Sequence, residues 1–202
     1  MRATEAYKTL LQLNRPVITT AEAAARWGIS QVYASKLLAR LAGDGLMTRL
    51  RRGVWTITTQ INPYTLPPYL TAPYPSYISS WTALYHHGLI DQIPQQVYVV
   101  SLDRSKRIRT SAGVFVVRHI SPRLFEGFTA RDGVLMATPE KALFDAVYFA
   151  VTRGRRHAFF PEIEIPKKFK KSQVRRWMHR ISSPRLRTLS GSRIEGILRS
   201  AR

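Results

Sequence analysis

The chain has 202 residues, 32 of them Lys or Arg against 12 Asp or Glu, giving a formal net charge of +20 and a sequence pI near 11.2. With 45% hydrophobic and 10% aromatic residues, it can bury a core and is not globally disordered. No run approaches the ~18 apolar residues of a membrane span, the start MRATEAYKTL lacks a signal-peptide run, and the lack of cysteine excludes disulfides, thiolate zinc sites and iron–sulfur clusters. The expectation is a cytoplasmic protein that binds a polyanion and has no membrane partner.

Thr4 to Leu13 reads as a first helix. Thr19-Thr20-Ala21-Glu22 has capping-box spacing and predicts a second helix, which runs to Trp27 and stops at Gly28. Ser30 then caps a third helix, Gln31 to Ala42, whose Ala34, Leu37, Leu38 and Leu41 fall at i, i+3, i+4 and i+7. Two short helices joined by Gly28-Ile29-Ser30 form a helix-turn-helix. Leu46–Leu50 and Val54–Thr58 around Arg51-Arg52-Gly53 read as a hairpin, and a hairpin in that place is a wing.

With Ala34, Leu37 and Leu41 inward, 100° per residue places Val32, Lys36, Ala39 and Arg40 outward and Tyr33 and Ser35 on the flanks. That face suits a major groove: Gln31 and Lys36 reach base edges, Arg40 and Ser35 phosphates, while Arg49, Arg51 and Arg52 hold backbone or enter the minor groove from the wing. The competing reading is a solvated basic face on a protein-binding winged helix. Trp27 and Trp55 are expected in the core.

Residues 61–76 hold five of the twelve prolines and read as a linker, with Tyr64, Tyr69, Tyr74 and Tyr77 packing it down. The expected domains are therefore 1–60, a winged helix, and 77–202, an α/β body. In that body, residues 79–90 read as a helix presenting Trp81, Leu84 and Tyr85, and Val97–Ser101 and Val114–His119 as buried strands. Asp103–Arg109 is read as the polar connection between those strands. Thr138 caps a helix with Pro139 in its first turn, continuing to Tyr148. The fold class is mixed α/β (α+β).

The order of these features resembles the AbiEi-type antitoxins, transcriptional regulators of viral defence systems. The likeness rests on GLMTRLRRGVWTI closing the winged helix, then SSWTALYHHGLI, VYVVS and ATPEKALFD. It implies an N-terminal domain that represses its own operon and a C-terminal domain that counteracts a nucleotidyltransferase-like toxin encoded beside it. In that type IV scheme the antitoxin opposes the toxin's effect without necessarily forming a stable complex with it. The family brings no catalytic residues and no cofactor.

Residues 151–202 carry fifteen Lys or Arg and three Glu, a net +12 of the +20. Ser172 is the expected cap of a helix with Val174, Trp177, Met178 and Ile181 as its apolar stripe. Lys167, Lys168, Lys170, Lys171, Arg175, Arg176 and Arg180, with His179, would then form a second basic surface. Ser192-Arg193-Ile194-Glu195 predicts a short terminal helix. An enzyme would draw on His86, His87, His119, His157 and His179 with Asp145, Glu140 or Glu162. No metal-ligand spacing, phosphate loop or nucleophile elbow supports one, and Glu140 and Asp145 are poorly spaced to share a helix face. The reading is a non-enzymatic autorepressor and antitoxin that binds an inverted-repeat operator, dimerising on DNA. The alternative is an RNA-binding or RNA-processing protein that uses the basic C-terminal surface.

Overall fold

Local capping signals set the first helices. In the computed structural model, which describes residues 2–57, 61–152 and 160–200, Thr19 Oγ1 accepts from the Glu22 backbone N–H at 3.1 Å while Glu22 Oε2 accepts from the Thr19 N–H at 2.7 Å. This reciprocal cap opens α2 (Thr20–Trp27), which ends at Gly28 with φ +64. Ser30 caps α3 (Gln31–Gly43). Before them lie α1 (Ala3–Leu11) and β1 (Val17–Thr19). The first helix ends two residues short of Leu13, with Asn14 at φ +48.

The hairpin is β2 (Thr48–Arg51) and β3 (Val54–Thr56). Arg51 belongs to the strand rather than the turn, and Thr58, expected in the second strand, lies outside the described residues. β1, which three residues without alternation do not announce, pairs antiparallel with β3 and completes a sheet of order β1-β3-β2. Leu10, Ile18, Ala23, Leu38, Leu41, Met47 and Trp55 form the core, with Trp27 half-buried against it. Burial of each large side chain contributes roughly 1.5–3 kcal/mol. The chain divides into two compact units, Met1–Tyr69 with Arg109–Gly113, and Leu70–Ile108 with Val114–Arg202.

Where a linker is expected, residues 61–76 contain a 3-10 turn at Pro63–Thr65 and a short helix, α4 (Pro67–Thr71), with Leu66 and Leu70 buried. Tyr77 is fully buried, whereas Tyr74 remains 48% exposed. The second unit continues with β4 (Ser76–Ile78), α5 (Ser80–His86), β5 (Val97–Ser101), β6 (Lys106–Thr110), β7 (Gly113–His119), β8 (Phe128–Arg131), β9 (Val134–Ala137), α6 (Pro139–Thr152), α7 (Lys171–His179) and α8 (Pro184–Ser200). Its mixed sheet has the order β6-β7-β5-β4-β9-β8, and α6 packs against α5, α7 and α8.

Several expectations are corrected here. Asp103–Arg109 is largely strand: Lys106–Thr110 is an edge strand with only Ile108 buried, so its composition mimics a loop. Ser172 does not cap α7; Lys170 occupies that position without a side-chain cap, and Ser172 lies in the first turn. Ser192 lies inside α8, a helix of 17 residues that starts eight positions earlier, where Ser183 Oγ accepts from the Leu186 N–H at 3.3 Å.

The least expected feature of this unit is a charge pair inside α6. Lys141 Nζ donates to Asp145 Oδ1 at 2.5 Å, and both side chains are fully buried. Asp145 Oδ2 accepts from Ser79 Oγ at 2.7 Å and Tyr77 Oη at 3.0 Å. Burial draws the Lys141 ammonium down and the Asp145 carboxyl up from their ordinary values, each partly opposed by the other's charge. Burial and the neighbouring Asp145 push the Tyr77 phenol well up, so it stays a donor. Removing one partner strands the other charge. Lys141→Met or Asp145→Leu alone is expected to lower unfolding free energy by ~3–5 kcal/mol, with the double substitution recovering most of that loss. Denaturant titration of the four proteins measures the coupling, and additive losses would contradict it.

Candidate nucleic-acid interface

Burial along α3 separates two faces. Ala34, Leu37, Leu38 and Leu41 are buried, while Gln31, Val32, Tyr33, Ser35, Lys36, Ala39 and Arg40 are exposed. Val32 and Tyr33 are 70% and 49% exposed, unusual for large apolar side chains on a packed helix. Lys36 and Arg40, one helical turn apart, share a stripe. On the wing, Arg49, Arg51 and Arg52 are exposed, with the Arg49 guanidinium 5.4 Å from the Trp55 ring centroid. Among the described residues, Lys36, Arg40, Arg51 and Arg52 form no salt bridge, whereas Arg15 pairs with Glu22.

Two indole N–H groups position this face. Trp55, 2% exposed, donates to Thr20 Oγ1 at 3.0 Å and ties the wing to the start of α2. Trp27 donates to Thr9 Oγ1 at 2.8 Å and ties the end of α2 to α1. Both polar ends are satisfied, as an aromatic anchor requires.

The second basic stretch is arranged differently. Lys167, Lys168, Lys170 and Lys171 are exposed, but Arg176 and Arg180 both reach Glu126 Oε1, at 3.2 and 2.8 Å, and Arg175 meets Glu195 at 3.5 Å. Trp177 Nε1 also donates to Glu126 at 2.5 Å. Burial raises the Glu126 carboxyl, yet Trp177 and the two arginines outweigh it and leave it below its ordinary value. Three of the seven cations assigned to that surface therefore carry ion pairs.

Four of the eight residues an enzyme would use are hydrogen-bonded within the fold. Asp145 is held as described, Glu140 Oε1 accepts from the Lys170 N–H at 2.8 Å, His87 Nε2 lies 2.7 Å from the Ala137 carbonyl, and His119 Nδ1 lies 3.2 Å from that of Leu102. His157 lies outside the described residues. Among the described residues, no three His, Asp or Glu side chains gather as a metal site, and no helix is long and apolar enough to cross a membrane.

A capped helix pair, a three-stranded sheet with a basic hairpin and an outward polar helix face together make a winged helix-turn-helix of the transcriptional-regulator class. Residues 5–58 match the family model described as "Transcriptional regulator, AbiEi antitoxin". The match ends just past the wing. No curated relative matches the chain in sequence.

The cap beneath this face is linked to protonation. Burial pulls the Glu22 carboxyl up, but the Thr19 N–H, the Thr19 hydroxyl and Arg15 outweigh it and hold it below its ordinary value of 4.5. A depressed carboxyl contributes stability above its unfolded value and loses it as pH falls through the folded one. Thermal unfolding followed from pH 6 to pH 3 should show a steeper acid loss in the native chain than in Glu22→Gln. Identical slopes would mean that the cap binds no linked proton.

Proposed function

We propose that the protein represses its own operon by binding a duplex operator through α3 and the wing, and counteracts a nucleotidyltransferase-like toxin encoded beside it. The observation that carries the first part is the exposed α3 face, where Lys36 and Arg40 have no ion pair among the described residues and Gln31 and Val32 lie exposed beside them, on a winged helix that matches the AbiEi model. Gln31 and Lys36 read base edges, Val32 fits against a thymine methyl, and Arg40, Ser35, Arg49, Arg51 and Arg52 hold phosphates. Tyr33 flanks the contact. One winged helix covers only a half-site, which favours an inverted repeat and pairing of two copies on DNA. Regulation rather than catalysis is supported by the committed hydrogen bonds of Asp145, Glu140, His87 and His119. Residues 1–60 serve the operator and residues 77–202 the antitoxin role.

Mobility shifts on the native promoter, a scrambled duplex and RNA are the direct test. Gln31→Ala and Lys36→Ala should cost ~1–3 kcal/mol of sequence discrimination. Arg51→Ala and Arg52→Ala should weaken all duplexes alike and reduce the salt slope by ~0.9 for each phosphate no longer neutralised. Equal affinity for all three nucleic acids would remove the operator reading and favour RNA binding through Lys167, Lys168, Lys170 and Lys171.

Division of labour is separable in the full chain. Lys36→Ala with Arg40→Ala should abolish repression of a promoter fusion while still rescuing growth when the neighbouring toxin is expressed. Simultaneous loss of both would show that repression and antitoxicity are one activity.

A further inference from the structure

Where α7 ends and α8 begins, the second unit carries a cleft of about 380 Å³ lined by Arg123, His179, Arg180, Ile181, Ser182 and Arg187. Three separate segments supply its guanidiniums. Arg123 comes from the 3-10 turn Pro122–Leu124, Arg180 from the C-terminal cap of α7, and Arg187 from the first turn of α8. Buried Leu124 pins the first of these segments, and buried Ile181 pins the junction between the helices. No Asp or Glu lines the cleft.

Two of the guanidiniums are held by one edge and keep another. Arg187 Nε and Nη2 both donate to the Ile181 carbonyl, at 3.1 and 2.8 Å, which fixes the plane of the group and leaves its Nη1 side open. Arg180 Nη1 donates to Glu126 Oε1 at 2.8 Å and lies 3.5 Å from the Arg123 carbonyl, which leaves the Nε–Nη2 edge. Glu126 cannot balance the cluster, because the same oxygen also takes Arg176 and the Trp177 indole. Among the described residues, Arg175, Arg176 and Arg180 form ion pairs in this region, and Arg123 and Arg187 form none. Three positive charges around one concavity, set against one shared carboxylate, focus their field into it.

The edges left over define the ligand. A guanidinium fork matches two oxygens of a phosphate, and a lone carboxylate fills only one such fork, so an anion that meets three must carry several phosphoryl oxygens. The volume lies within the ~300–1,000 Å³ usual for small-ligand sites and exceeds the needs of one phosphate. His179 is the only ring in the lining, so no platform of stacked aromatics receives a base. A duplex backbone presents its phosphates along a line, whereas these cations surround a single cleft. We propose that this cleft binds a compact polyphosphate, either inorganic or the tail of a nucleotide whose base stays in solvent. The inference does not depend on the operator reading, since none of these residues lies on α3 or the wing.

Isothermal titration of the full chain with inorganic monophosphate, inorganic triphosphate, ATP and CTP tests it. Triphosphate should bind saturably, with monophosphate weaker by about tenfold or more, the scale of one lost charge-assisted hydrogen bond. ATP and CTP should agree within about threefold, because the base is not read. Nucleotides that match triphosphate make the inorganic chain sufficient; nucleotides that both exceed it by the same factor make the nucleotide the source. Arg123→Glu, at an exposed position, should weaken triphosphate binding by about tenfold or more with a melting midpoint no lower than native. Arg187→Lys, which keeps the charge but not the fork, should weaken it as well. Lys36→Ala with Arg40→Ala, and Lys167→Ala with Lys168→Ala, should bind triphosphate like the native chain. The proposal is overturned if triphosphate does not saturate, if monophosphate binds as tightly, or if ATP and CTP differ by more than about tenfold. It is equally overturned if both cleft variants bind like the native chain, or if loss of the two lysines weakens binding as much as Arg123→Glu.

Discussion

The second unit depends on one buried ion pair. Lys141 and Asp145 sit a helical turn apart on α6, but apart from the Phe144 ring the groups around them come from elsewhere in the chain. Tyr77 belongs to β4, Ser79 to the junction before α5, and the Lys141 ammonium lies 4.7, 5.5 and 5.9 Å from the ring centroids of Phe144, Trp177 and Tyr77. A carboxylate taken out of water is tolerated only when its lone pairs are filled. Asp145 has three donors, and those donors can reach it only if β4, α5 and α6 meet in one register. An apolar replacement of both partners could match the stability but would not penalise a slipped arrangement in the same way. The pair therefore acts as a constraint on which packing is allowed, more than as a source of net free energy.

The winged helix is held together by different means. Its core buries no charged side chain, and the polar ends of Trp27 and Trp55 close on threonine hydroxyls. The cations of α3 and the wing are left outward. A cation with no carboxylate beside it retains its full attraction for a phosphate, and displacing counterions from DNA then drives association. On α7 the balance differs, because Glu126 is shared by Arg176 and Arg180 and is locked by the Trp177 indole. Counting Lys and Arg along the sequence treats the two regions alike, whereas ion pairing distinguishes them.

What the sequence could show follows the range of each interaction. The cap at Thr19 and Glu22, the stop at Gly28 and the start at Ser30 are each decided within four residues, and the faces of α3 follow from helical periodicity alone. β1 and β4 are three residues each and take their identity from distant partners, so no local pattern marks them. Ser192-x-x-Glu195 has the spacing of a capping box, yet α8 already runs through it, because a capping signal is weaker than continued backbone hydrogen bonding. Lys141 and Asp145 are legible only as an i, i+4 pair, a spacing that on most helices marks a solvent-exposed bridge. Their burial becomes visible only when β4 and α7 are in place.

A larger cavity of the second unit, about 570 Å³, shows the same limit. Arg107 reads in sequence as part of a polar connection, and Arg118 as one residue of the buried strand Val114–His119. Pairing β5 with β7 and placing β6 beside them brings both onto one wall, and the constrained Ser79–Ser80 turn carries α5 with Trp81 to the same space. Arg107, Arg118 and Trp81 come from three different elements, so they meet only as a consequence of sheet order. The ion pair that fixes β4 against α6 is therefore also what holds that turn in place, and an alteration that loosens Asp145 would disturb the cavity wall before any residue lining it had changed.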